Sequence, residues 1–356
     1  MQPRQLSGRV SAAPISTLRV QMADPRTGFQ AETTSTLAVP GALAPRLVPR
    51  VVAALLAVIG VVGMHLLWAF FVNTAAGQRI DRAAFEGAAF EQGRLWQVAQ
   101  PVLNVVSYTL VIGGAIAAVL IAVLRRRVLL AVQMFVLVGG ANLTTQLVKQ
   151  WYPRPMLLPG GEWWWQNSLP SGHTTVAGSV SAALLLAAPR RWRPVVAVVG
   201  AVWTIITGLS TLVGQWHRPA DVVAAVFVVL AWASLVCAIT SRRTLDQLPS
   251  PIADEFRIDY PGGSYPVTKP PNSQRSVPIV SWSVAGFMAL LGGICTFIWV
   301  LVLFRLLDAS PDVSSYYVTA YGGGALGVVG VTLLSFAILL VLRQATGLPR
   351  TEPIAG

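Results

Sequence analysis

The chain has 356 residues, of which 54% are hydrophobic and only 11% are charged, and its mean hydropathy is +0.62. Soluble domains carry about 25% charged residues, so this composition excludes an ordinary soluble domain and indicates a membrane protein. The formal net charge is +12. The basic residues stand at the ends of apolar segments and not in a block with aromatic residues, so no nucleic-acid partner is expected.

The N-terminal segment, residues 1–50, is polar and contains proline, unlike a cleaved signal peptide. We expect a disordered tail there. Eight apolar segments follow, each able to cross about 30 Å of hydrocarbon as a helix; the fourth is shorter but must cross because it lies between two spans. They cover residues 51–72, 103–124, 128–148, 171–188, 195–213, 222–240, 282–303 and 318–342. The predicted fold class is therefore all-α, a polytopic transmembrane helical bundle.

The segments group into a predicted unit of six helices, a linker and a final pair of helices. The unit covers residues 51–240, the charged and proline-rich linker 241–277, the two additional helices 278–342, and a C-terminal tail 343–356. We expect no regular structure in the linker. The sequence contains no evident internal repeat, so an inverted-repeat transporter is not favoured.

The distribution of cations predicts the orientation. If the N-terminus is cytoplasmic, the inner segments carry 19 Lys and Arg and the outer segments 7, whereas the acidic residues divide 7 and 7. An excess of cations marks the cytoplasmic side. We therefore expect a multi-pass protein of the plasma membrane with both termini and the linker in the cytoplasm.

Two outer loops and one histidine have alternative interpretations. Residues 74–101 alternate apolar and charged side chains, which is typical of an amphipathic helix lying on the membrane or of a solvated loop helix. Residues 163–165 are three tryptophans, interpreted as an aromatic anchor or as a lip over which a lipid tail enters. His65 lies within the first span without a partner in sequence, and we expect a buried structural histidine there.

Three clusters of polar residues lie at the predicted outer ends of the helices. The first is Lys149-Gln-Trp-Tyr-Pro-Arg154-Pro155, the second Pro170-Ser171-Gly172-His173, and the third runs from Ser210 through Thr211 and His217 to Asp221. Ionisable groups at membrane depth are costly and commonly functional. The orientation that brings the clusters to one side was deduced from cation counts alone, which makes their coincidence informative.

The second and third clusters have the geometry of an anion site and of an oriented base. Ser171 is a natural N-cap, and the unpaired N–H groups of the following helical turn attract anions. His217 and Asp221 are four residues apart, so the carboxylate lies beside the imidazole on one helix face and fixes its tautomer. Each pattern alone is common in ordinary helices, and the argument depends on their combination.

Lys149 and Arg154 are cations of the kind that phosphoryl transfer requires around the phosphate oxygens. The alternative is that they are membrane-flanking residues without a catalytic role. No group of carboxylates that would hold Mg²⁺ or Zn²⁺ stands at the outer side, and Cys237 and Cys295 both lie inside predicted spans. We therefore expect no metal and no cofactor.

The three clusters, in this order and at these helix ends, resemble the type-2 phosphatidic acid phosphatase superfamily, whose motifs are K-x6-R-P, P-S-G-H and S-R-x5-H-x3-D. The resemblance covers residues 51–240 and implies a six-helix phosphatase core. It implies that His217 attacks phosphorus to form a phosphohistidine, that Asp221 orients it, and that His173 protonates the leaving oxygen and later activates water. The phosphate ligands that it implies are Lys149, Arg154, Ser171, Gly172, Ser210 and Thr211.

The chain departs from these motifs at two places. Lys149 and Arg154 are separated by four residues instead of six, and Thr211 replaces the arginine that follows Ser210. A lost charge-assisted contact costs about 1.5 to 3 kcal/mol, or one to two decades in rate. A hydrogen bond from Thr211 or Gln215 is one possible compensation.

Two functions from different classes follow. The first is an enzyme that hydrolyses a lipid phosphate or a polyprenyl diphosphate, such as the undecaprenyl carrier of the cell envelope, at the outer membrane face. Phosphatidic acid and phosphatidylglycerol phosphate are alternative substrates. The second is a catalytically weak protein that binds lipid phosphates or assists transport. The expected partners are the lipid substrate and membrane lipids, and the sequence indicates no oligomeric state.

Overall fold

A computed structural model of the chain describes residues 22–23, 30–31, 46–90, 97, 99–101, 113, 128–159, 167–239, 256–260, 263–267, 278–309 and 314–347. The helices are α1 Leu47–Leu67 with a π turn at Trp68–Val72, α2 Ala75–Gly87 with a 3-10 turn at Ala88–Phe90, α3 Val128–Trp151, α4 Gly172–Ala187, α5 Arg193–Val213, α6 Pro219–Ala238, α7 Ile279–Asp308 and α8 Ser314–Thr346. The predicted all-α transmembrane bundle is confirmed.

Six described helices are long and apolar enough to span a membrane, and a seventh, α4, is apolar but shorter. They correspond to seven of the eight predicted spans, and the chain is a multi-pass membrane protein. The second predicted span, 103–124, lies outside the described residues apart from Gly113. The tryptophans at 163–165 lie outside them as well.

α6 is the central helix of the bundle. Its most apolar stretch is 78% buried inside the protein, and α1, α3, α4 and α8 pack around it. α1 approaches it closely, because a Cβ at Gly60 would come within 2.8 Å of the Ala231 nitrogen. Small residues allow membrane helices to approach in this way. The site described below lies at the N-terminal end of this central helix.

The two C-terminal helices pack with the others in one compact unit, Pro45–Pro349. α8 is 67% buried and contacts α2, α5 and α6, whereas α7 is 22% buried and packs mainly on α8. At the end of α8, the Gln344 side chain accepts a hydrogen bond from Arg193 Nη1 at 3.1 Å and donates one to Ser281 Oγ at 2.9 Å. These bonds join α8 to α5 and α7.

Short strands occur in two segments for which the sequence predicted no regular structure. Within the linker, β3 Phe256–Tyr260 pairs antiparallel with β4 Gly263–Val267. The apolar residues Phe256, Ile258 and Tyr260 alternate with charged ones, which is typical of a strand. The prolines around this segment had favoured a prediction without regular structure. In the N-terminal segment, β1 Met22–Ala23 pairs with β2 Gln30–Ala31.

Candidate active site

His217 and Asp221 form the centre of the site. His217 Nδ1 lies 3.2 Å from Asp221 Oδ2, as the spacing of four residues predicted. Both are buried, with exposed fractions of 8% for His217 and 0% for Asp221. Because Nδ1 faces the carboxylate, the other ring nitrogen, Nε2, is the one left for chemistry.

Asp221 is held by donors from the start of its own helix and from the segment before α4. Its Oδ2 accepts hydrogen bonds from Ser168 Oγ at 2.7 Å and from the Arg218 backbone nitrogen at 3.0 Å. Arg218 Nη1 in turn donates to Ser168 Oγ at 2.7 Å. The Asp221 carbonyl accepts from the Ser171 nitrogen at 2.8 Å, which joins the first turn of α6 to the start of α4. Ser168 and Arg218 were not predicted as site residues.

His173 faces this pair from the first turn of α4. Its ring centroid lies 6.3 Å from that of His217, with the planes at 65°, and 5.3 Å from that of Trp216. The two imidazole rings therefore lie next to each other, and the space around them is called the gap below. The indole of Trp216, which is 46% exposed, lies beside His173.

Two of the predicted cations adjoin this gap. A Cβ at Gly172 would lie 3.8 Å from Lys149 Nζ, so the ammonium stands over the N-terminal turn of α4. Arg154 Nη1 is buried and has no hydrogen-bond partner within the described part of the chain. Burial lowers the pKa of Arg154 and the charge of Arg218 lowers it further, while Asp81 and Asp221 raise it. A buried cationic donor without a partner is suited to an anion.

Ser171 and Gly172 lie at the start of α4, as predicted. Ser171 is fully buried, and its Oγ caps the helix by accepting from the Thr174 nitrogen at 3.3 Å. The Thr174 hydroxyl also donates to Ser171 Oγ, at 3.1 Å. The Ser171 side chain is therefore occupied in forming the helix start.

Thr211, a predicted phosphate ligand, lies in the last turn of α5. It is 0% exposed, and its hydroxyl donates to the Gly208 carbonyl at 2.7 Å, within α5. Its carbonyl accepts hydrogen bonds from the nitrogens of Trp216 and His217 at 3.0 and 3.3 Å. The Thr211 backbone therefore stabilises the turn that leads from α5 to His217. Ser210, which precedes it, is 5% exposed.

Gln215 lies in the turn between α5 and α6. It adopts a positive φ of 53°, where the chain turns from α5 towards α6. Its Nε2 donates to the Phe85 carbonyl of α2 at 3.0 Å. The Thr211 hydroxyl and the Gln215 amide nitrogen thus donate within the protein, and Arg218 donates to Ser168, which in turn donates to Asp221.

Helix α2, which follows the first span, is a part of the site that the sequence did not predict. Gln78 Nε2 donates to the Pro155 carbonyl at 2.7 Å, and Asp81 Oδ1 accepts from the Ala220 nitrogen at 3.3 Å. Gln78 and Asp81 are 5% and 2% exposed. The polar face of α2 thus packs on the site instead of facing solvent. The spacing of Gln78, Asp81 and Phe85 on one helix face was the available signal.

On α2, Asp81 is the titratable group whose pKa is shifted most by its surroundings. Its pKa is raised to about 7, chiefly by burial and next by the negative charge of Asp221. Arg218, Arg154 and the hydrogen bond from Ala220 oppose this shift. Asp81 therefore changes its charge near neutral pH.

His65 lies outside the site and differs from its prediction, because its side chain is exposed and not buried. Its Nδ1 lies 3.4 Å from the Tyr152 hydroxyl, and Trp68 stacks on Tyr152 with ring centroids 4.7 Å apart. This aromatic group joins α1 to the end of α3.

Comparison with known families is informative for the region that carries these residues. The PAP2 superfamily model matches residues 127–245, which include Lys149, Arg154, His173, His217 and Asp221. Comparisons with curated proteins and with solved structures gave no match. Over residues 127–245 the chain is therefore similar to the PAP2 superfamily, which supports the resemblance indicated by the three clusters.

Proposed function

We propose that the protein hydrolyses a lipid phosphate or polyprenyl diphosphate at the outer membrane face, without a metal, through a phosphohistidine intermediate. The observation that carries the proposal is the buried pair of His217 and Asp221 with His173 facing it, 6.3 Å away between ring centroids. Lys149, Arg154 and Arg218 supply positive charge around the gap.

The reaction has two steps that conserve protons. His217 Nε2 attacks phosphorus while the bond to the leaving oxygen breaks, and His173 gives that oxygen its proton. Asp221 stabilises the positive charge that develops on the His217 ring. In the second step His173 removes a proton from water, the hydroxide displaces His217 from phosphorus, and inorganic phosphate leaves.

A lipid substrate is supported by the location of the site. The site stands at the ends of membrane-spanning helices, where a phosphate head group meets the protein while its tail remains in the bilayer. An outer-face site favours a polyprenyl diphosphate of the cell envelope, and phosphatidic acid and phosphatidylglycerol phosphate are the alternative substrates. The cation that Thr211 does not supply is provided by Arg218.

Phosphate release by purified protein in detergent tests the proposal. The substrates are a polyprenyl diphosphate, phosphatidic acid and phosphatidylglycerol phosphate, each assayed with EDTA. We expect release from at least one of them that EDTA does not abolish. Binding without turnover on all three would instead support a lipid-phosphate-binding protein, and activity lost with EDTA and restored by a divalent cation would contradict the metal-independent mechanism.

The roles of the histidines are separated by trapping a phosphorylated protein with an aryl phosphate, which has a good leaving group. His217→Ala removes the nucleophile, so no phosphoprotein is expected. His173→Ala slows both proton transfers, by about 10² to 10⁴-fold each in turnover, but the aryl leaving group needs no proton and the intermediate should accumulate. Labelling that persists in His217→Ala would place the nucleophile elsewhere.

A further inference from the structure

Asp81 carries a buried carboxylate oxygen that the protein does not satisfy. The side chain is 2% exposed, and Oδ1 accepts a hydrogen bond from the Ala220 nitrogen at 3.3 Å. Oδ2 is buried and has no hydrogen-bond partner in the described ranges. A buried charged oxygen without a partner is costly. It therefore requires either a proton or a ligand that donates to it.

The charges that act on Asp81 come from the elements of the site. Asp221 and Arg218 belong to the start of α6 and the loop before it, and Arg154 lies in the segment after α3. On α2 itself, Arg82 pairs with Glu86 at 2.7 Å. α7 and α8 contribute Leu306, Tyr316, Tyr317 and Tyr321 to the cluster that packs on α2, and Arg79 of α2 hydrogen-bonds to Tyr316. Asp81 is thus an acid whose charge interacts with the cations Arg218 and Arg154.

A second buried polar atom without a partner belongs to Arg154. Its Nη1 has no acceptor among the residues described, and Arg154 and Asp81 lie close enough for each charge to affect the other's pKa. An oxyanion satisfies Arg154 Nη1 by accepting a hydrogen bond. It cannot satisfy an ionised Oδ2, because two acceptors of like charge repel each other. One proton taken up at Asp81 turns Oδ2 from an acceptor into a donor and removes this repulsion.

We infer that binding of an oxyanion at this site takes up one proton at Asp81, and that the protonated carboxyl donates a hydrogen bond to an oxygen of the oxyanion. The inference rests on the proposed function in so far as the site binds phosphate. The proton comes from solvent and returns to solvent when the anion leaves, so the reaction balance is unchanged. A phosphate that already carries a proton supplies the same hydrogen, with Asp81 as acceptor.

The physical basis is that a bound dianion makes the charged form of Asp81 still less favourable. The pKa of Asp81 is already raised to about 7 in the free site, so near neutral pH the proton is readily taken up. Above that pKa each unit of pH weakens the binding of an unprotonated anion by about tenfold through Asp81 alone. Asp81 is thereby a specificity-determining residue that favours binding of the anion below about pH 7.

Sulfate is a suitable probe because it is fully ionised over the range tested and cannot donate a hydrogen bond. Its dissociation constant is measured with purified full-length protein by calorimetry from about pH 6 to about pH 9. The comparison is between the wild type and Asp81→Asn, whose side-chain amide donates a hydrogen bond without first taking up a proton. His173 and His217 lie in the same site and are present in both proteins. A difference between the two proteins in how steeply the dissociation constant changes with pH therefore arises from Asp81.

We expect the wild-type dissociation constant to rise more steeply with pH than that of Asp81→Asn, by up to about tenfold per unit above pH 7. Glu86→Gln, on the same helix but paired with Arg82 at the surface, should keep the wild-type slope. Equal slopes in the wild type and Asp81→Asn would overturn the inference, even if Asp81→Asn binds more weakly at every pH.

A second measurement covers the case in which Asp81→Asn does not fold. Calorimetry of the wild type in two buffers of different protonation enthalpy counts the protons taken up with sulfate, and we expect about one at about pH 8. No uptake, or no sulfate binding at any pH, would overturn the inference. Turnover of the wild type is scored separately: proton-linked sulfate binding without phosphate release would contradict the proposed function and leave this inference standing.

Discussion

Ser168 connects the two charged residues at the start of α6. Its hydroxyl donates to Asp221 Oδ2 and accepts from Arg218 Nη1, both at 2.7 Å. A serine hydroxyl fits this position because it has one donor and can accept as well. We infer that Ser168 holds the carboxylate against His217 and the guanidinium beside the gap.

Ser168→Ala is therefore expected to lower kcat/KM. Hydrogen bonds to charged groups contribute about 1.5 to 3 kcal/mol, which corresponds to about ten- to a hundredfold in kcat/KM if the loss is fully expressed in the transition state. Ser168→Thr keeps the hydroxyl and should retain most of the activity. The measurement is kcat/KM on the substrate identified by phosphate release.

The matched control is Ser179→Ala. Ser179 is also a serine, is 0% exposed, and donates to the Val176 carbonyl at 3.2 Å within α4. Its loss should leave kcat/KM within about twofold, because the site is untouched. Equal effects of the two substitutions would show that Ser168 acts only through general stability.

Residues whose partners are close in sequence were predictable, and those with distant partners were not. The spacing of His217 and Asp221 placed the two side chains together correctly. Asp81 and Ser168 reach the site from elements 139 and 53 residues away in sequence from their partners Ala220 and Asp221. A polar residue in a loop between spans is usually solvated, so the helical spacing of Gln78, Asp81 and Phe85 was a weak signal by itself.

At the scale of elements, α8 packs against the start of α6, the helix that carries Asp221. A Cβ at Gly324 would lie 2.4 Å from Pro219 Cγ, and a Cβ at Gly208 would meet both Val222 of α6 at 2.7 Å and Val328 of α8 at 3.3 Å. Pro219 is the first residue of α6 and follows His217 by two positions. The position of α8 thus determines where the start of α6 can lie.

Gly324→Ala should for this reason reduce activity. The new methyl group cannot fit at 2.4 Å from the Pro219 ring, so either α8 or the start of α6 must shift, and His217 and Asp221 shift with the latter. We expect a loss of about 1 to 3 kcal/mol in stability, the usual cost of overpacking, with a reduced kcat. Thermal unfolding in detergent and phosphate release measure the two effects.

Gly322→Ala is the control on the same helix, since a Cβ there meets nothing within 4 Å. Alanine is the better helix former, so this variant should be at least as stable as the wild type and fully active. A loss of activity in Gly322→Ala equal to that in Gly324→Ala would mean that any change of backbone freedom in α8 is harmful, and not the contact with Pro219.

For the whole molecule, hydropathy predicted the spans but not their arrangement. Continuous apolar segments identify helices because backbone groups must be satisfied inside hydrocarbon. The packing of α8 in the core was not predictable from sequence. Its glycines and its terminal Gln344 make their contacts with residues distant in sequence, such as Pro219 and Arg193. The separate pair of C-terminal helices expected from the sequence accordingly packs with the rest in one unit.

Sidedness is a property of the whole molecule, and it is testable with single cysteines. Leu157, in the segment that follows Arg154, is 40% exposed, and Arg191, in the loop between α4 and α5, is exposed as well. The two positions lie at opposite ends of the bundle, because Leu157 follows the end of α3, where Lys149 lies by the start of α4, and Arg191 follows the end of α4. The native Cys237 and Cys295 are buried and are replaced by serine as background.

The cation distribution predicts that Leu157→Cys reacts with an impermeant maleimide in intact cells, whereas Arg191→Cys reacts only after the cells are opened. The reason is that Arg190, Arg191 and Arg193 lie on one side of α4 and α5, and an excess of such residues marks the cytoplasmic side. The reverse labelling would place the His217 site on the cytoplasmic face. In that case a cytoplasmic lipid phosphate would replace the polyprenyl diphosphate as the expected substrate, while the roles of His173 and His217 would be unaffected.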